Sequence, residues 1–94
     1  MKLLLTSKAI SDIEVIYTNI AIYIDTTSAE RIVSDIYKIM ELALTQPEMG
    51  TLGRVNGTRE LFPRNGKYRI VYRVKEQQLE ILRVILSKRK YPSK

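Results

Sequence analysis

The hydrophobic period changes partway along the chain, and that change limits the fold more than any other feature of the sequence. Between residues 8 and 45 the apolar residues recur at steps of three and four; from residue 58 onward they recur at every second position. Helical patterning followed by extended patterning predicts an α+β arrangement rather than alternating βαβ units. Ile10, Ile13, Tyr17, Ile20, Ala21 and Ile24 mark one helix over residues 8–23, with Ser7 placed to cap it. Its many isoleucines are β-branched and mediocre helix formers, so packing must hold it. Asp25, Thr26, Thr27 and Ser28 break the pattern, and Thr27 with Glu30 matches a capping box that opens a second helix. Along that helix Ala29, Ile32, Val33, Ile36, Tyr37, Met40, Ala43 and Leu44 keep helical spacing, and Pro47 ends it after Gln46. The short join between the two predicts an antiparallel helical hairpin.

Residues 2–6 form a short apolar segment that reads as a strand. Residues 47–57 hold three of the four glycines and read as a loop. Residues 58–62 read as a strand, Asn65-Gly66 as a hairpin turn, and residues 68–75 as a second strand. In that strand Tyr68, Ile70, Tyr72 and Val74 face one way, and Arg69, Val71 and Arg73 face the other. Glu76-Gln77 makes another turn, and residues 79–86 complete the meander. The expected fold class is α+β in the order β-α-α-β-β-β. A helical hairpin packs on one face of a small, mainly antiparallel sheet and leaves the other face to water or a partner. A chain of 94 residues fits one domain, over residues 1–94.

The chain has no cysteine and no histidine. Disulfides, thiolate nucleophiles, imidazole acid–base pairs and the usual zinc ligands are therefore excluded. The ten acids show no clustering that suggests a magnesium site, and no metal or other cofactor is expected. The opening run of Leu3, Leu4 and Leu5 is far shorter than a secretory signal core. Residues 13–24 are broken by Glu14, Thr18 and Asn19 and fall short of the roughly 20 apolar residues of a membrane span. The expectation is a cytoplasmic protein with no membrane contact.

Charge is distributed unevenly. The net charge is +6, yet residues 1–46 carry four cations against six acids, and residues 47–94 carry twelve cations against four acids. A basic half of this density suits an anionic or acidic partner. Seven of the twelve cations are arginines, whose planar fork suits bidentate contact with phosphate. Arg59, Arg69, Arg73, Arg83, Lys88, Arg89 and Lys90 are the expected contacts to a macromolecular target or nucleic acid. Each also has a plainer reading. Arg69 and Arg73 would line a solvent face, Arg83 would pair with Glu60 or Glu80, and the tail would fray. Tyr68 and Tyr72 share the apolar face and are expected in the core, while Tyr17, Tyr23 and Tyr37 are expected to pack within the helices.

Several segments, taken in order, resemble the RelE/ParE toxins of bacterial type II toxin–antitoxin systems. They are Pro47-Glu48-Met49-Gly50, Gly57-Thr58-Arg59-Glu60-Leu61, Tyr68-Arg69-Ile70-Val71-Tyr72-Arg73-Val74, Ile81-Leu82-Arg83-Val84-Ile85 and Arg89-Lys90-Tyr91-Pro92. The resemblance covers almost the whole chain and is closer to ParE-like members. It implies a toxin that inhibits growth and a cognate acidic antitoxin that wraps and neutralises it in a hetero-oligomer. ParE-like members poison DNA gyrase, whereas RelE-like members cut messenger RNA on the ribosome. For a RelE-like enzyme the resemblance matches Arg69, Arg89 and Tyr91 to catalytic positions. It does not match the lysine pair of those nucleases, which falls where this chain has Thr58-Arg59-Glu60. Gyrase poisoning is therefore the favoured expectation, with ribosome-dependent RNA cleavage as the alternative and a non-toxic basic nucleic-acid-binding module as a further one.

Overall fold

A computed structural model describes residues 1–64 and 66–92. It contains β1 (Lys2–Leu5), α1 (Ser7–Tyr23), α2 (Thr26–Thr45), β2 (Thr51–Leu52), β3 (Arg59–Leu61), β4 (Tyr68–Lys75) and β5 (Gln78–Leu86). The expected order holds, with one strand more. β2 sits inside the glycine-rich stretch read as a loop and pairs antiparallel with β3. The five strands lie in the order β1-β5-β4-β3-β2. Every pairing is antiparallel except β1 with β5, which run parallel in the register Lys2 to Gln78 through Leu5 to Ile81.

Both helices start one or two residues earlier than expected, because different side chains cap them. Thr6, not Ser7, caps α1: its hydroxyl accepts from the Ala9 N–H at 3.1 Å. Asp25, not Thr27, caps α2: its carboxylate accepts from the Ser28 N–H at 2.6 Å. That bond to the backbone, followed by one to the Ser28 side chain, holds the Asp25 carboxyl below its ordinary value. Ile24 and Asp25 alone join the helices, so α2 turns back on α1 as a hairpin.

Ala9, Ile13, Ile16 and Ile20 of α1 and Ala29, Ile36, Met40 and Ala43 of α2 pack against Leu61, Tyr68, Ile70, Tyr72, Leu79, Ile81 and Val84 of the sheet. The buried stripe of α1 thus runs through Ile16, and Ile10 and Ile24, expected on it, are exposed. Tyr72 and Tyr68 are buried as expected and Tyr17 packs at the core edge, but Tyr37 is exposed and Tyr23 is 81 % exposed at the hairpin tip. Val74 is exposed too. Beside it Glu76 and Gln77 take φ of 51° and 65°, the left-handed pair that a two-residue hairpin loop demands. The other expected turn residue, Asn65, lies outside the described residues.

A bulge sets the face of each β5 residue. Val71 pairs with Arg83 but Tyr72 pairs with Ile81, so Leu82 is the extra residue. Ile81 and Val84 can then both enter the core, while Arg83 and Ile85 share the opposite face with Arg69, Val71 and Arg73. That opposite face, expected to meet water or a partner, is partly closed within the chain itself. Val71 is 0 % exposed and Ile85 is 4 % exposed, although neither belongs to the helix-facing core. Tyr72 ties the loop after α2 to the sheet: its hydroxyl donates to the Pro47 carbonyl at 2.7 Å and accepts from the Gly50 N–H at 3.1 Å. Gly50 must remain bare there, because an added Cβ would lie 2.8 Å from both the Tyr72 ring and the Glu60 carbonyl.

Candidate functional site

The face of the sheet turned away from the helices gathers three of the expected contact residues, Arg69, Arg73 and Arg83, and each has an acidic partner inside the molecule. Arg73 stands directly opposite Glu80 and donates to it through Nε at 2.6 Å. Arg69 donates to Glu60 Oε1 at 3.1 Å; the side chains are 15 % and 9 % exposed. Its other amino group donates to the backbone carbonyl of Arg89, and its Nε is buried without a partner. Arg69 is therefore not on a solvated face, as the plainer reading had it.

Arg83 pairs with neither Glu60 nor Glu80. β1 stops at Leu5, opposite Ile81, and leaves the outer edge of β5 without a strand. α1 supplies the missing partners. The Thr6 N–H donates to the Ile81 carbonyl at 3.1 Å, and the Thr6 hydroxyl donates to the Leu82 carbonyl at 3.0 Å. Asp12 then accepts the Val84 N–H at 2.9 Å and two donors of Arg83 at 2.7 and 3.0 Å. The hydrogen bond to Asp12 raises the Arg83 guanidinium above its ordinary range, more than burial lowers it. Asp12 was not singled out in the sequence. The available signal was its place one helical turn from Ala9 and from Ile16, on the rim of the buried stripe.

Arg59 lies away from this group and donates to the carbonyls of Glu48 and Gly50 at 3.2 and 2.8 Å, holding the glycine-rich loop against β3. The C-terminal cations behave differently. The Ser87 N–H donates to Lys67 O at 2.7 Å and the Arg89 N–H to Leu86 O at 2.9 Å, so the chain folds back after β5. The side chains of Lys88, Arg89 and Lys90 are exposed, and no ion pair holds them among the described residues. Arg89 borders a pocket of about 310 Å³ between α1 and the free edge of β5, lined also by Asp12, Val15, Asn19, Tyr68 and Leu86. Burial pushes the Tyr68 phenol up, which makes it a still weaker acid. Tyr91 lines a different pocket, of about 240 Å³, beside Thr6, Ser7, Lys8, Leu82 and Arg83. The structure thus joins Arg69 to Arg89 through a backbone carbonyl and places Tyr91 at the start of α1.

Among the described residues no helix is long and apolar enough to cross a membrane, and no group of acids could hold a metal ion.

The chain resembles several solved structures. The chromosomal ParDE toxin–antitoxin system of P. aeruginosa matches with a TM-score of 0.85 and 27 % identity, over 94 % of this chain and 97 % of that one. The intact E. coli RelBE toxin–antitoxin complex matches with a TM-score of 0.64 and 17 % identity, over 94 % and 98 %. The YoeB/ParE toxin of Agrobacterium tumefaciens matches with a TM-score of 0.64 and 24 % identity, over 92 % and 98 %. These last two share the fold. No curated protein matches the chain by sequence. The family model for the ParE toxin of type II (parDE) toxin–antitoxin systems matches residues 3–91, and the chain belongs to that family.

Proposed function

We propose that this ParE-family toxin arrests growth by binding DNA gyrase, without cutting RNA, and that a cognate acidic antitoxin neutralises it. The observation that carries the reading is the state of Arg69. A nuclease without histidine needs a guanidinium free to meet the phosphate in flight. Here the Arg69 guanidinium is enclosed, paired with Glu60 and bonded to the Arg89 carbonyl. Tyr91, which would protonate the leaving oxygen, borders another pocket. The lysine pair of the RNA-cutting relatives is absent from β3, which reads Arg59-Glu60-Leu61. Of the expected contacts, Lys88, Arg89 and Lys90 stand exposed with no ion pair among the described residues, a binding surface rather than a reaction centre.

The antitoxin follows from the same surface and from the exposed apolar residues of α1. Val15, Ile22, Tyr23 and Ile24 stand in water on the hairpin. The matched structures from P. aeruginosa and E. coli are a toxin–antitoxin system and a toxin–antitoxin complex. The test is a supercoiling assay with purified gyrase, together with co-expression of the neighbouring small gene product and a search for an acidic protein that co-purifies. Inhibition at micromolar toxin, relieved by that protein, supports the reading. Unimpaired supercoiling overturns it.

A further inference from the structure

Two ion pairs bridge neighbouring strands and a third ties α1 to β5; of these, Glu60 with Arg69 is the most enclosed. Enclosing two charges costs solvation that the pairing alone seldom returns with profit, so such a pair calls for a structural reason. Here the reason is what Arg69 reaches with its other amino group. That group donates to the carbonyl of Arg89, across the sheet from Glu60. The two backbone bonds of Ser87 and Arg89 bring the segment within reach.

We propose that Glu60 and Arg69 form a clasp for the C-terminal segment. Glu60 aims the guanidinium, the guanidinium grips the backbone of Arg89, and Lys88, Arg89 and Lys90 are held as a fixed cationic array facing an anionic partner surface. Arg69 is a positioning residue here. The inference rests on the reading of that basic segment as the surface that meets the target. A fixed array has less conformational freedom to lose on binding than a loose tail of long cationic side chains. Arginine suits the role because its planar fork points donors at a carboxylate and a carbonyl at once; the single ammonium of a lysine cannot hold both in the same way.

The test compares trypsin cleavage after Lys88, Arg89 and Lys90, followed by intact mass, with thermal unfolding and growth inhibition of the same proteins. Arg69→Gln strands Glu60 in an enclosed site and risks misfolding, so the second variant replaces the pair by apolar residues, Glu60→Leu with Arg69→Met. In the folded double variant, cleavage of the segment accelerates roughly tenfold, the share carried by one hydrogen bond from a charged donor. Growth inhibition falls with it, and Arg69→Lys restores part of both. Arg89→Gln removes a charge and one trypsin site but keeps the backbone grip, so it lowers growth inhibition and leaves the rate of cleavage after Lys88 and Lys90 unchanged. Unchanged cleavage in the folded double variant overturns the clasp. Faster cleavage with undiminished growth inhibition, where Arg89→Gln does diminish it, overturns the positioning role. Wild-type growth inhibition after neutralising all three tail cations overturns the role of the array along with the target-contact reading. That outcome is recognised because cleavage of the proteins that keep the tail cations still responds to the clasp.

Discussion

Replacing Asp12 by alanine removes more than a surface charge. Its carboxylate accepts three N–H groups: two from Arg83, and the Val84 amide that β1 leaves unpaired. The side chains of Arg83 and Asp12 are 18 % and 16 % exposed, so the pair lies nearer the buried limit than the solvated one. Breaking a fully buried pair costs about 3–5 kcal/mol, and an exposed pair returns at most about 1 kcal/mol. Arg83 has a long stem that can swing partly into water, and Val84 N–H can find a water at the open edge. Asp12→Ala is therefore expected to cost about 2–3 kcal/mol. For a chain of this length each kcal/mol lowers Tm by about 4–8 °C, so Tm falls by roughly 10–20 °C. Thermal unfolding by circular dichroism measures this. A double-mutant cycle with Arg83→Met isolates the pair, with an expected coupling of about 1.5–2 kcal/mol. A loss below about 1 kcal/mol, or a coupling under about 0.5 kcal/mol, would refute the claim that α1 holds the β5 edge through this carboxylate.

Other consequences concern single elements. Tyr72→Phe leaves the buried Gly50 N–H without its acceptor and should cost about 1–3 kcal/mol in urea unfolding, while the ring still fills the core. Gln77→Gly relieves a left-handed backbone position and should stabilise the β4–β5 turn by about 0.5–1 kcal/mol, provided its φ stays near 65°. Asp25 has a depressed pKa in the fold, so its contribution is fully present above its unfolded value and is lost as pH falls through the folded value. Asp25→Ala should lower Tm at neutral pH and converge with the wild type in acid; a constant offset down to the most acidic pH would contradict that cap.

The helical hairpin and the β4–β5 meander were legible because their signals are local. A 3.6-residue period, a helix-ending proline and a two-residue turn each occupy a few adjacent positions. β2 was not legible, since two residues in a glycine-rich stretch become a strand only by pairing with Arg59 and Glu60. The competition between Thr6 and Ser7, and between Asp25 and Thr27, is decided by where each helix docks. The phase of β5 turns on a bulge at Leu82, and a run of apolar residues on both sides hides it. The arginines were found as residues, but the partners that hold them were not. Their partners are Glu60, Glu80, Asp12 and backbone carbonyls, brought close by strand register or by the docking of α1. Of the expected contacts, Lys88, Arg89 and Lys90 kept the exposed character that composition suggested.

Binding of gyrase without RNA chemistry is decided by mapping transcript ends minutes after induction while measuring plasmid supercoiling in the same cells. A gyrase-binding toxin leaves messages intact and removes negative supercoiling. New ends within translated codons, with supercoiling preserved, would contradict it and would require Arg69 to leave Glu60 and act on RNA.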